Sequence, residues 1–515
     1  MTERLKYEHA TVAADSDAAR IARSLKKFLA KRTRKIRLQP NRPNSFDEIL
    51  RPAIDFAIDR LRQASPASRS LRQLAWNDLR RHLMTRLGFA LTPTLRLQRN
   101  AARAAGCRAD ITLLETTLEF PELFDTATRL ISGWLNAQTE VLVRILRDKK
   151  NLGANFFKKR LQMEVTHIRP GLSDPHDGGR SVTVVEFARG LRLIYKPRSA
   201  NREELWFNAL RWLNRQQLGV SFRIPKFLPR SRYLWMEFLA KKSCHSIAEV
   251  RRFYFRWGAQ TALAQILGAI DLHRDNWLAV GSQPMLVDLE FVGLKPKRGG
   301  KTLDRPASAK TTAGAQSLPA LLETGLFPLT SRDRAGSYHG IAPFDSSSLE
   351  RGPFTCWPRY KRAIQPPWKY VSELVRGFEA VAEIFSDIRL AKDFFQEVLA
   401  RSAKNGTDRI LPRATAQYAR LLRESFKPRN MVSRGARWRA LEHHCSLSAM
   451  NRRIGLAEAR ALLRCDIPKF TTRPGSSFVS WKRFLVAIAE LKDSSRILRR
   501  RVLFRSSRRA PRLTT

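Results

Sequence analysis

The chain has 515 residues, enough for several packed subdomains, and its 43% hydrophobic content is that of a globular protein. Its apolar runs are too short for a membrane span, and residues 1–10 lack the apolar stretch of a secretory signal. Lys and Arg total 95 against 46 Asp and Glu, a net charge of +49 that attracts polyanions and acidic peptides. The charge is spread along the chain, which reads as an arginine-rich composition more than as a nucleic-acid-binding face. Residues 496–512 are the exception, a basic cluster expected to be disordered or to bind nucleic acid. Five scattered cysteines without a CxxC pair argue against a disulfide frame or a zinc ribbon and fit a reduced cytoplasm.

In chain order, residues 1–44 are basic and close with Pro40 and Pro43. Ser45 and Glu48 have capping-box spacing, and Ile49, Leu50, Ala53, Ile54, Ala57, Ile58 and Leu61 follow with helical period. Pro52 predicts a kink or the true first turn. Helices are also expected over 71–91 and 121–150. This helical third reads as packing scaffold without chemistry of its own.

The character changes near residue 160. DPHDGGR, 174–180, is a polar glycine-rich turn, followed by strands over 182–187 and 191–195 that end at Lys196. Loop N–H groups and a nearby ammonium suit a phosphate. A helix is expected over 201–213, and Glu203 or Glu204 on it can pair with Lys196. An exposed first-turn glutamate, favoured by the helix dipole, is the commoner case. Residues 233–239 read as a strand and 253–270 as an amphipathic helix.

That helix runs into the densest stretch of polar residues, 270–293, with Asp271, His273, Asn276, Asp288 and Glu290. Residues 277–280 and 285–287 read as a hairpin turned by 281–284, which delivers Asn276 and Asp288 to one end. An amide oxygen and a carboxylate suit Mg²⁺, which shares its remaining positions with phosphates. Asp271 then faces a substrate hydroxyl as base. Base Asp, metal Asn, then metal Asp after a strand is the order used by phosphotransferases. Alone, a D-x-H-x-x-N motif recurs by chance. Loops are expected over 295–320 and 329–370, then helix from 371 to about 422. DRILPRAT, 408–415, and DIPKF, 466–470, are further loop-type motifs.

These blocks, in this order, carry a family resemblance. DPHDGGRSVTVVEF, LIYKPRS, ALRWLN, GAIDLHRDNWLAV, PMLVDLE, LLETGLFP, VRGFE, RILPRATAQYARLL and CDIPKF span residues 170–475. Together the chain resembles the dehydratase domain of LanM-type (class II) lanthipeptide synthetases. The resemblance implies an α+β fold: a lipid-kinase-like two-lobed core embedded in a mostly helical protein. It implies a cytoplasmic enzyme that phosphorylates Ser and Thr of a precursor peptide with ATP and Mg²⁺. The enzyme then eliminates phosphate to leave dehydroalanine or dehydrobutyrine. By position, Asp271, His273, Asn276, Asp288 and Glu290 look like the phosphoryl-transfer set, with Asn276 and Asp288 on Mg²⁺ and Lys196 on the nucleotide. Asp174, His176, Lys196, Arg409 and Thr415 look like the set that handles and eliminates phosphate.

The implied organisation is a helical region over 1–160, an N-lobe over 161–240, a C-lobe with helical additions over 241–475 and a basic tail over 476–515. Cys465 stands where the family usually has glycine. Members carry a C-terminal cyclase with a Cys/Cys/His zinc site; the chain ends about forty residues after CDIPKF, so no zinc is expected and a separate cyclase is an expected partner. The alternatives are a peptide kinase that does not eliminate, and a truncated inactive remnant that binds peptide or nucleic acid.

Overall fold

The computed structural model describes residues 8–32, 36–37, 45–106, 110–157, 164–293, 320–327, 342–344, 356–403, 409–410, 412–413, 415–447, 452–471 and 480–503. The loop expected over 295–320 lies almost wholly outside them, as does most of 329–355.

The first part is helical: α1 (Glu8–Arg32), α2 (Ser45–Ala64), α3 (Gln73–Ala104), α4 (Leu113–Glu119) and α5 (Pro121–Phe156). A short antiparallel pair, β1 (Ile36–Arg37) and β2 (Asp110–Ile111), ties the chain between them. α2 runs through Pro52. Pro121 opens α5 at its first turn, where a missing N–H costs nothing. Both α3 and α5 extend well past their expected ends.

A five-stranded antiparallel sheet follows, in the order β3 (Val165–Arg169), β4 (Thr183–Phe187), β5 (Arg192–Lys196), β7 (Leu234–Glu237), β6 (Phe227–Pro229). Helix α6 (Asn201–Asn214) leaves from β5. Alternation along the strands gives the sheet two buried faces. Leu193, Tyr195 and Trp235 join a core built with α2, α3 and α5. Leu234, Met236 and the partly buried Ile194 join a second core with α6.

The second core continues through α7 (Ile247–Ile266), the hairpin β8 (Trp277–Val280) and β9 (Gln283–Leu286), and α8 (Ala320–Glu323). The hairpin turn is tighter than the expected 281–284. Val280 pairs with Gln283, so only Gly281 and Ser282 turn. Gly281 takes φ 59°, a left-handed value that suits glycine. Pro284 is tolerated opposite Ala279 because the ribbon has only two strands. The ribbon β10 (Arg359–Tyr360) and β11 (Ala363–Ile364) precedes α9 (Val371–Ser386), α10 (Ile388–Phe394), a π-helical stretch Phe395–Ala400 and α11 (Arg401–Ala403). α7 and α9 meet backbone to backbone. A Cβ at Gly258 would lie 1.8 Å from the Leu374 carbonyl oxygen, and one at Gly377 1.9 Å from that of Phe255.

Strand β12 (Arg409–Ile410) then leads to α12 (Thr415–Ser425), α13 (Ala436–Leu447), α14 (Arg452–Leu463) and β13 (Phe470–Thr471), which pairs with β12. Tyr418, Leu441 and Leu462 return this segment to the first core. α15 (Trp481–Ala489) and α16 (Leu491–Leu503) bury Phe484, Leu498 and Val502 in the second. Residues 496–503, part of the basic cluster expected to be disordered or to bind nucleic acid, are the end of a packed helix, which overturns the disordered reading for them. Leu491, Leu498 and Val502 recur at helical spacing and supply its apolar stripe. The fold is α+β, mostly helical with antiparallel sheets. No helix among the described residues is long and apolar enough to cross a membrane.

Candidate active site

Lys196 ends β5 and is buried. Its Nζ donates to Glu203 Oε1 at 3.1 Å and to the Val287 carbonyl at 2.8 Å. Glu203 is fully buried, so the reading of an exposed first-turn glutamate is overturned. The same carboxylate takes Arg198, with Nη1 to Oε2 at 2.8 Å and Nη2 to Oε1 at 2.7 Å. Arg198 also reaches Asp288 Oδ1 at 3.6 Å and Glu290 Oε1 at 3.3 Å. One guanidinium thus joins the sheet and α6 to the acidic motif behind β9. Burial works against its charge, but Glu203, Glu290 and Asp288 outweigh that and raise its pKa.

Asp271 has φ 65°, a left-handed value that Asp adopts more readily than most residues. Its carbonyl accepts from Asn276 Nδ2 at 2.8 Å, which turns the amide oxygen away from that carbonyl. His273 lies beside it, Nε2 4.0 Å from Asp271 Oδ1 and 3.3 Å from Asn276 Nδ2. The Asn276 carbonyl accepts from the Val287 N–H at 2.9 Å, which ties this loop to the residue before Asp288. From behind, Leu272 N–H donates to the Thr324 carbonyl at 2.8 Å, so the LLETGLFP stretch backs the loop. Asp288 is partly open, its side chain 43% exposed.

On the other side of Asp288, Glu290 is pinned between cations. Arg409 Nη1 makes a short ion pair to it, opposite Arg198. Burial alone would raise this carboxyl, but Arg198, Arg409 and Lys469 hold it well below the usual carboxylate range. Arg409 Nη2 approaches His176 Nε2 at 3.3 Å, and its guanidinium lies 5.3 Å over the Phe291 ring. His176 Nδ1 donates to the Ile467 carbonyl at 2.7 Å, leaving Nε2 as acceptor for Arg409. Burial, then Arg409, lower the pKa of this imidazole and favour its neutral form.

The glycine-rich turn does not leave its N–H groups open to a phosphate. Gly178 and Gly179 donate to the Asp466 carboxylate at 2.7 and 2.8 Å.

The structure therefore links Lys196, Asp288, Glu290, Arg409 and His176 in one chain of contacts, with Asp271, His273 and Asn276 tied in through Val287. Asp174 is exposed, and Thr415 opens α12 half-buried. Among the described residues neither side chain bonds to this chain of groups. Sequence reasoning missed Arg198, Asp466 and Lys469. Arg198 stands two residues after Lys196 inside a quoted motif, and the others lie in DIPKF.

Residues 120–354 and 344–473 match the family described as Domain of unknown function (DUF4135), more than half of the chain. The chain belongs to the DUF4135 family. A lacticin 481/lactococcin biosynthesis protein of Lactococcus lactis subsp. lactis is 23% identical to this DUF4135 chain over 383 residues. That match covers 67% of the chain and 40% of the relative, so the chain spans well under two thirds of the curated protein it matches.

Proposed function

We propose that this protein acts in lanthipeptide biosynthesis as a dehydratase. It phosphorylates Ser and Thr of a precursor peptide and then eliminates the phosphate. The likeness to a lacticin 481/lactococcin biosynthesis protein supports the pathway. The observation that carries the chemistry is the buried Lys196–Glu203 pair set against Asp288, the arrangement by which lipid-kinase-like and protein-kinase-like lobes hold a nucleotide.

The donor set suits Mg²⁺. Asn276 offers an amide oxygen and Asp288 a half-open carboxylate, both hard oxygen ligands. Among the described residues no group of three or more His, Cys, Asp or Glu is arranged around a metal. When bound, ATP supplies the phosphoryl group and the cation spreads its charge.

Lys196, anchored by Glu203, fixes the phosphates. Asp271 would take the proton of the Ser or Thr hydroxyl, whose oxygen would accept the phosphoryl group that bound ATP supplies, with ADP as the leaving group. In the second step a general base takes the Cα proton, the C–H electron pair forms the Cα–Cβ double bond and phosphate leaves with the electrons of the Cβ–O bond. Arg409 and Lys469 neutralise the charge that builds on the departing phosphate. His176 orients Arg409.

The test is the mass of a Ser/Thr-containing precursor peptide after incubation with the protein, ATP and Mg²⁺. A loss of one water per modified residue is expected. Folded Asp288→Ala should give no addition of about 80 daltons, roughly one phosphoryl group. Arg409→Met and Thr415→Ala should accumulate phosphopeptide. Full phosphorylation by folded Asp288→Ala would overturn the assignment.

A further inference from the structure

The loop 174–180 is fastened to residues 465–467 at four points. Gly178 and Gly179 N–H donate to Asp466, Ile467 N–H donates to the Pro175 carbonyl at 2.8 Å, and His176 Nδ1 donates to the Ile467 carbonyl. Two of the four run through one fully buried carboxylate. The helical N-terminal part reaches the same point. Arg86 of α3 donates from Nη2 to the Cys465 carbonyl at 3.3 Å, and its charge acts on Asp466. A Cβ at Gly179 would lie 2.8 Å from Arg86 Nη1 and 3.3 Å from the carbonyl carbon of Gly133 in α5. Gly179 also sits at φ 82°. The loop is thus clamped between Asp466 on one side and α3 and α5 on the other. Arg180 extends the grip on α5, with Nη2 to Glu140 Oε2 at 2.7 Å.

What this clamp holds is His176, and His176 holds Arg409. Among the described residues its hydrogen bonds run to residues 465–467, α3, α5 and Arg409, and not to Lys196 or Asn276. We infer that Arg86 and Asp466 form a positioning pair that locks the 174–180 loop so that His176 aims Arg409 at the departing phosphate. The pair therefore serves phosphate elimination and not phosphoryl transfer. This rests on the dehydratase reading for its activity arm and on geometry alone for its structural arm.

The clamp is tested with Arg86→Met, which removes the charge at similar length, Arg86→Lys, which keeps it, and Asp466→Asn, which keeps the shape but turns an NH₂ toward one glycine N–H. Elimination is started from purified phosphopeptide, and phosphorylation is followed separately with ATP and Mg²⁺. Arg86→Met and Asp466→Asn are expected to slow elimination about a hundredfold, the order of loss for a reacting group displaced by about 1 Å. Phosphorylation should stay within about threefold on the same scale, and Arg86→Lys should recover most of the loss. The ¹⁵N shifts of the His176 imidazole, assigned with a His176→Gln control, should move in Arg86→Met and Asp466→Asn. That arm needs no activity, so a wild-type protein that never dehydrates would refute the dehydratase reading while leaving the clamp testable. Wild-type elimination rates in folded Arg86→Met and Asp466→Asn would overturn the inference. So would equal loss of both half-reactions without rescue by lysine, or an unmoved imidazole signal.

Discussion

Glu203→Gln is the sharpest probe of the buried ionic site. Glutamine keeps the shape of the side chain but replaces one carboxylate oxygen with an NH₂ and removes the charge. Two cations lose their counter-ion: Lys196 at 3.1 Å and Arg198 at 2.7 Å. Breaking a buried pair by removing one partner costs about 3–5 kcal/mol, because a charge is left uncompensated. The loss belongs at the low end here. Lys196 keeps the Val287 carbonyl at 2.8 Å, and Arg198 keeps Glu290 at 3.3 Å. About 3 kcal/mol corresponds to roughly a hundredfold loss of local stability. Amide hydrogen exchange reads it directly. Protection across residues 192–214, which hold β5 and α6, should fall about a hundredfold, while α12–α14 in the other core should change little. A surface glutamate in a first helical turn would change protection only a few-fold, since such substitutions stay within about 0.5 kcal/mol. Protection in 192–214 that matches wild type would refute the claim that Glu203 is the counter-ion of both cations.

Three further outcomes follow from single positions. Cys465 has φ 63°, a left-handed value that costs a side chain roughly 1–2 kcal/mol and glycine little. Cys465→Gly should therefore be more stable than Cys465→Ala by about 1 kcal/mol in urea unfolding, although both lose the thiol that Arg437 Nη2 meets at 3.4 Å. Gly377→Ala should destabilise α7 and α9 by about 3 kcal/mol or more, because its methyl meets backbone that cannot yield; wild-type protection of both helices in hydrogen exchange would contradict the packing. Partial burial, and then the nearby charge of Arg86, pushes the pKa of the half-buried His82 down from 6.5 to about 4. The unfolded chain then takes up the proton first as pH falls, so stability is lost between pH 6.5 and about 4, by about 3 kcal/mol in all. His82→Gln should flatten that part of the pH–stability profile, and an unchanged slope would refute the assignment.

Much of this site was legible because its parts sit at element ends that local patterns mark. The alternation from 182 to 196 located the strands and placed Lys196 at the end of one. Asp271, Asn276 and Asp288 were legible from a helix, a turn and a strand in succession. The choice between Glu203 and Glu204 was also open to sequence: Glu203, Trp206, Leu210 and Leu213 share a helical stripe, and all four are buried. What could not be read were pairings across long sequence separations. Arg86 with Cys465, Asp466 with Gly178, and Arg409 with Glu290 leave no local period, because side-chain ion pairs and hydrogen bonds impose none. The unusual cysteine at 465 was a readable departure, and its positive φ gives the reason glycine suits that place. The basic run at 496–503 misled because four arginines interleave with its four apolar residues and hide the stripe, in which Leu498 and Val502 are buried.

Glu290 is where the two sets of residues meet. Arg198 binds it from the side of Lys196 and Asp288, and Arg409 binds it from the side of His176. Held well below the usual carboxylate range, it stays ionised near neutral pH and has no proton to give. It is therefore a poor general acid for a leaving group, whatever the substrate. Its charge does something else: it keeps two guanidiniums compensated in a buried place where either alone would be costly. Under the dehydratase reading, a phosphate arriving beside Arg409 is a second anion at the same cation. Part of Arg409 then passes from Glu290 to the phosphate, while Arg198 retains Glu290 and keeps the remaining charge paired. The Lys196–Glu203 pair is not disturbed by that exchange, because Arg198 stands between it and Glu290. Under that reading, one buried arginine lets phosphate handling change hands on one side while the Lys196–Glu203 side keeps its geometry.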